Sequence, residues 1–174
     1  MRGASIAAAV ALGASCSSGG GSAAPSTTTR RPPSSVGSTT TVASQEAEVL
    51  GAYRAFWDAY LAAADPMDPA SPLLAQHATG TQLETVQRAF LARRAGGEVI
   101  RGTLDLAPRV ISIVDDTAAV RDCYLDNTGV YDAAGTRKDT ASGVRHLVTA
   151  SLRLDGGVWK VSDLKKEGDG CATA

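Results

Sequence analysis

The chain has 174 residues, 44% of them hydrophobic and 20% charged, with a formal net charge of −1. Three of the 17 basic residues (Arg2, Arg30, Arg31) precede Ser44 and none of the 18 acidic ones does, so the remainder carries a balance of about −4. A mildly acidic domain without a basic stripe repels phosphates, which argues against nucleic acid as a partner, and the length suits one domain with one core.

Met1 and Arg2 supply a positive start, and Ala4 to Ala14 form an apolar run containing Ile6, Val10 and Leu12. The run is too short to span a bilayer, which needs about 20 residues, and has the length of a signal-peptide core. It ends in Leu12-Gly13-Ala14-Ser15-Cys16, which resembles the lipobox of bacterial lipoproteins, where small residues precede a cysteine that is diacylated and becomes the new amino terminus. The family pattern has leucine three residues before the cysteine; here Gly13 holds that place and Leu12 stands one step further back. The resemblance implies a signal peptide over residues 1–15, acyl chains of the palmitate type on Cys16, and a domain exported and anchored on the outer face of the cell membrane. Two acyl chains give firm retention, where one is marginal. The alternative is ordinary signal-peptidase cleavage that leaves Cys16 unused.

Residues 16–43 read as a tether. After Cys16 they are Ser, Thr, Gly, Pro and Ala with two valines, Val36 and Val42, and only Arg30 and Arg31 charged. Such a stretch cannot bury enough apolar surface to offset its ordering entropy, and as a flexible spacer it reaches on the order of 30 Å.

The folded domain is expected over residues 44–174. Ser44 has the chemistry of an N-cap, with Glu46 and Glu48 in the first turn. Val49, Tyr53, Phe56, Trp57, Tyr60, Leu61 and Ala64 follow at helical spacing, which predicts one amphipathic helix that ends at Asp65-Pro66. A short helical turn is expected from Ser71 to His77, ended by Gly80. Thr81-Gln82-Leu83-Glu84 matches a capping box, opening a helix with Leu83, Val86, Phe90 and Leu91 as its buried stripe and Gly96-Gly97 as its stop.

From Glu98 the period changes to two. Strands are predicted at Val99 to Leu106, Val110 to Val114, Ala118 to Asp126 and Val144 to Leu154, and again after the Asp155-Gly156-Gly157 turn, at Val158 to Leu164. Pro108 marks an edge or bulge, and residues from Gly129 past Gly135 form a hairpin or loop. Helices followed by an antiparallel meander give an α+β fold class.

This arrangement resembles the nuclear transport factor 2-like superfamily, also described as cystatin-like, which includes ketosteroid isomerase and polyketide-cyclase-like proteins. The likeness rests on the aromatic first helix (Tyr53 to Tyr60), on Val110 to Val120 with its acidic turn, and on Asp155-Gly156-Gly157-Val158-Trp159-Lys160-Val161, and covers about Glu46 to Glu167. It implies amino-terminal helices packed into a strongly curved, mainly antiparallel sheet, a cone whose inner surface carries acid/base residues in the enzymes of the family. Exported lipoproteins of this type have a cysteine in the third strand and one just past the last. Cys123 and Cys171 fit, and an oxidising compartment favours their disulfide; a reactive thiol or a metal site is the alternative.

His146 alternates with Val148, Ala150, Leu152 and Leu154 and is therefore expected to face the helices. Tyr53, Trp57 and Tyr60 lie on the buried stripe, either as packing or with their polar ends turned into a pocket. Asp122 and Asp126 share a face with Tyr124; a carboxylate inside an apolar cone would be a base candidate, but a solvated outer face is the expectation, because two carboxylates on one face are costly to bury. No phosphate loop, Gly-x-Ser-x-Gly or His-Glu-x-x-His pattern is present, and no cofactor is expected. Three functions compete: a non-catalytic envelope lipoprotein that binds a partner protein or small apolar ligand, an isomerase or dehydratase using an acid/base residue in the cone, and a structural domain of an envelope assembly. Self-association as a homodimer is a further partner expectation.

Overall fold

A long helix, α1, covers Gly37–Ala64 in the computed structural model, which describes residues 37–140 and 143–172. Cys16, the signal-peptide segment and the tether up to residue 36 lie outside the described residues. α1 takes in the last residues assigned above to the tether. Ser44 is therefore not its N-cap but an interior residue, with its hydroxyl 3.5 Å from the Glu48 carboxylate. Burial begins at Val49, one full face further on. Once that anchored segment is helical, each added residue costs little, and Ser or Thr only a few tenths of a kcal/mol against better helix formers. No helix among the described residues is long and apolar enough to cross a membrane.

Helices α2 (Pro72–His77) and α3 (Gly80–Ala95) follow. The expected capping box at the start of α3 does not form. Thr79 is the N-cap, in extended conformation and without a side-chain cap. The reason is tertiary: the Thr79 N–H donates to the Val161 carbonyl at 2.9 Å. That attachment to the sheet fixes the chain direction and places the N-cap of the helix two residues before Thr81. Gly80, expected to end a helix, is its first residue. Arg93 and Arg94 sit in the last turn, where they complement the helix dipole, and Gly97 takes the left-handed conformation just beyond (φ 66°).

The strands are β1 (Val99–Arg101), β2 (Leu104–Asp105), β3 (Arg109–Val114), β4 (Thr117–Asp126), β5 (Gly129–Tyr131), β6 (Val144–Asp155) and β7 (Val158–Asp169). All seven pair antiparallel. The main sheet runs β2-β4-β6-β7, with β3 also on β4, and β1 pairs with β5 in a separate ribbon. The single first strand expected over Val99 to Leu106 is thus two strands. Gly102 divides them at φ 130°, and a Cβ there would stand 2.4 Å from the Asn127 carbonyl oxygen. Bulges interrupt the register at Val110/Ser112, Leu147/Val148 and Ser151/Leu152.

One face of the sheet packs on the helices. Val120, Val148, Ala150, Leu152 and Val161 meet Val49, Tyr53, Phe56, Leu74, Val86 and Phe90 in one core. Burying each large side chain contributes about 1.5–3 kcal/mol. Leu91, expected in the buried stripe of α3, is 56% exposed. It lies a third of a turn past Phe90, and the stripe instead runs Gln82, Val86, Phe90. The architecture is α+β: helices first, then an open antiparallel sheet.

Candidate functional site

The four aromatic positions singled out in the sequence fall into one connected row. Tyr53 and Trp57 are one helical turn apart on α1 and meet edge-on, with ring centroids 6.4 Å apart. Trp57 also meets Tyr60 at 5.6 Å, and Tyr124 of β4 at 5.2 Å. Tyr124 in turn packs on His146 of β6 at 5.4 Å. His146 and Tyr124 are direct partners in the β4–β6 register. The imidazole therefore lies on the helix-facing side, at the end of the row, with its side chain 16% exposed.

The Asp122 face is a correction. Asp122 is 1% exposed and lies on the inner face with Val120 and Tyr124, not on a solvated outer one. Parity with Ala118 and Val120, both buried, carries the signal: the apolar even positions of β4 set the inside. The cost of burial is partly offset because Asp122 Oδ1 accepts from the Ala107 N–H at 2.8 Å. Burial still raises its pKa, against the lowering effects of the Ala107 N–H and Tyr53. Tyr53 beside it is raised as well, by burial first and then by the Asp122 charge. The Tyr53 hydroxyl, Trp57 Nε1 and Asp122 Oδ2 are buried and reach no hydrogen-bond geometry among the described residues.

Outward along the row is a cavity of about 150 Å³, walled by Trp57, Tyr60, Gln82, Tyr124, Asp126 and Thr128. Asp126 and Thr128 also line an adjoining cleft of about 310 Å³ with Asp139, His146, Lys166 and Asp169. In the cleft His146 Nδ1 lies 2.5 Å from Asp169 Oδ1, and Nε2 faces Asp126 Oδ2 at 3.8 Å. Asp169 is held below the usual carboxylate range by hydrogen bonds from Lys166 and then His146. The Tyr60 and Tyr124 phenols are raised by burial and by the Asp126 charge, so both stay protonated donors. Sequence reasoning missed Gln82 and Thr128, which belong to the site only because α3 and the β4–β5 connection converge there. A broader depression of about 510 Å³, among Thr79, Thr81, Asp116 and Arg153, has neither an aromatic wall nor an acid/base pair.

Cys123 and Cys171 are joined in a disulfide, with Cα atoms 5.9 Å apart. It lies on the other face of β4 and ties down the segment after β7. Among the described residues no group of three or more His, Cys, Asp or Glu side chains is placed to hold a metal ion. Cys16 is outside the described residues.

No protein-family model matches the chain, and no curated protein matches it. Among solved structures, the intermembrane space region of the chloroplast protein ARC6 is similar, with a TM-score of 0.54 and 14% sequence identity, covering 67% of this chain and 91% of that one. At that identity the likeness speaks to the fold alone.

Proposed function

We propose that this chain is a lipid-anchored envelope protein whose domain, of the cone-shaped nuclear transport factor 2-like type, binds a ligand or partner at its mouth and does not catalyse a reaction. The order of elements and the three bulges, which bend and twist a sheet, support the cone. The observation that carries the binding reading is the filled interior. Tyr53, Phe56, Phe90, Val120 and Val148 are fully packed, and only about 150 Å³ is left beside Trp57 and Tyr60, below the 300–1,000 Å³ of ordinary ligand pockets. Asp122, the most buried carboxylate, is 1% exposed, and one of its oxygens is already taken up by the Ala107 N–H.

A second reading, an isomerase or dehydratase, is favoured by one observation: the His146–Asp169 pair opens on the cleft, and a carboxylate-oriented imidazole is general-base geometry. Such enzymes share proton abstraction next to a carbonyl. Deuterium exchange into cyclopentanone, followed by proton NMR in deuterated buffer, separates the two readings. The binding reading expects the same rate with and without the protein. Exchange above the buffer rate that disappears in His146→Gln would establish the enzyme instead.

A further inference from the structure

Gln82 is 8% exposed and borders the small cavity, yet its carboxamide makes no hydrogen bond among the described residues. Its amide atoms, unlike the Tyr53 hydroxyl and Trp57 Nε1, are not sealed from water, and at a cavity wall they are open to a guest. Trp57, Tyr60 and Tyr124 enclose the same space. Their π-faces are electron-rich and attract cations, Trp most strongly. Asp126 supplies a formal charge at the rim. Its Oδ1 accepts from the Thr128 N–H at 2.8 Å, whereas Oδ2 has His146 Nε2 at 3.8 Å, too far for a hydrogen bond. Burial acts first on both phenols; at Tyr124 the Asp126 charge adds to it, and at Tyr60 the Arg93 charge lowers and the Asp126 charge raises. Aromatic walls and a carboxylate at the rim favour a positive guest, and the Gln82 carbonyl is able to accept one of its N–H donors.

We infer that this cavity binds a small alkylammonium group, held against Trp57, Tyr60 and Tyr124, with Asp126 Oδ2 and the Gln82 carbonyl accepting its N–H donors. The inference rests on the binding-module reading and names its ligand class. Size agrees: a cavity of about 150 Å³ takes a guest like benzene and nothing much larger. The adjoining cleft, which shares Asp126 and Thr128, gives the chain that bears the ammonium a way out. A free amine and a lysine side chain of a partner present the same chemistry.

The test is a saturation-transfer NMR titration of the full chain in detergent with n-butylammonium chloride, Nα-acetyl-lysine amide and neutral 1-butanol. Butylammonium is expected to bind at least ten-fold more tightly than butanol. Asp126→Asn is expected to weaken it at least ten-fold and Gln82→Leu about five-fold, each with a melting temperature within a few degrees of the parent. Tighter binding of the lysine amide than of butylammonium assigns the guest to a partner's lysine, and the reverse order to a free amine; both support the site. Equal affinity for butanol and butylammonium, or unchanged affinity in Asp126→Asn, overturns it. Butanol binding alone removes the ammonium preference and leaves the binding module standing, whereas binding of neither charged nor neutral probe removes both.

Discussion

Reducing the Cys123–Cys171 disulfide is expected to lower the melting temperature by on the order of 10 °C, at about 3–5 °C per kcal/mol for a domain of this size. The bond closes a loop with a sequence separation of 48. Chain-entropy arithmetic for that loop gives about 4 kcal/mol of stability, acting mainly by restricting the unfolded chain. There is also a local effect. The segment beyond β7 has few other attachments: the Gly170 N–H donates to the Arg145 carbonyl at 3.0 Å, and Cys171 and Ala172 border a cavity with Ala107, Arg121 and Leu147. Calorimetry on oxidised and reduced protein, with the Cys123→Ala/Cys171→Ala double variant as a control, reads the difference. A shift of less than about 2 °C would mean that the cross-link contributes little.

Phe90→Ala is expected to cost about 3–5 kcal/mol, because the ring is fully buried and its removal leaves a cavity that rigid neighbours cannot close. Phe90 packs on Tyr60 at 5.0 Å, so the loss also loosens one wall of the small cavity. Its sequence neighbour provides the contrast. Leu91 is exposed, and Leu91→Ala is expected to stay within about 0.5 kcal/mol. Urea unfolding of the two variants, compared at constant m-value, measures both. Similar losses in the two would mean that α3 is rotated from the orientation described here.

The contrast between Phe90 and Leu91 also shows what could be read from the chain. Apolar spacing located α3, but it does not say how wide the buried face is: Phe56 and Trp57 on α1 are both buried, whereas of Phe90 and Leu91 only Phe90 is. The choice depends on what packs opposite. Strands were legible where alternation was clean: β3, β4 and β6 begin and end within a residue of expectation, and the Asp155-Gly156-Gly157 turn joins β6 to β7. Local chemistry misled where a tertiary contact decided the outcome. The Thr81 and Glu84 pair looked like a cap, but the bond from Thr79 to Val161 set the start of the helix. Val99 to Leu106 looked like one strand, but the close approach of Asn127 at Gly102 split it.

The candidate site was legible in part. Tyr53, Trp57 and Tyr60 follow from helical period, and His146 from the alternation of β6. Tyr124 joins them because strand pairing sets it opposite His146, a fact about register that composition does not hold. Asp122 was assigned to the wrong face because burying carboxylates is costly in general. Here the Ala107 N–H offsets part of that cost, and the donor comes from fifteen residues away. Gln82 carried no signal at all beyond its place at i−4 from Val86.

Anchoring at Cys16 is the claim on which the envelope role depends. The most direct measurement feeds expressing cells an alkyne-tagged fatty acid and compares the chain with Cys16→Ser. The expected result is label on the parent protein in the membrane fraction and none on the variant, which lacks the thiol that the proposed acylation uses; two chains are needed for firm retention. Equal labelling of both proteins, or an unlabelled parent protein released from the membrane, would contradict it.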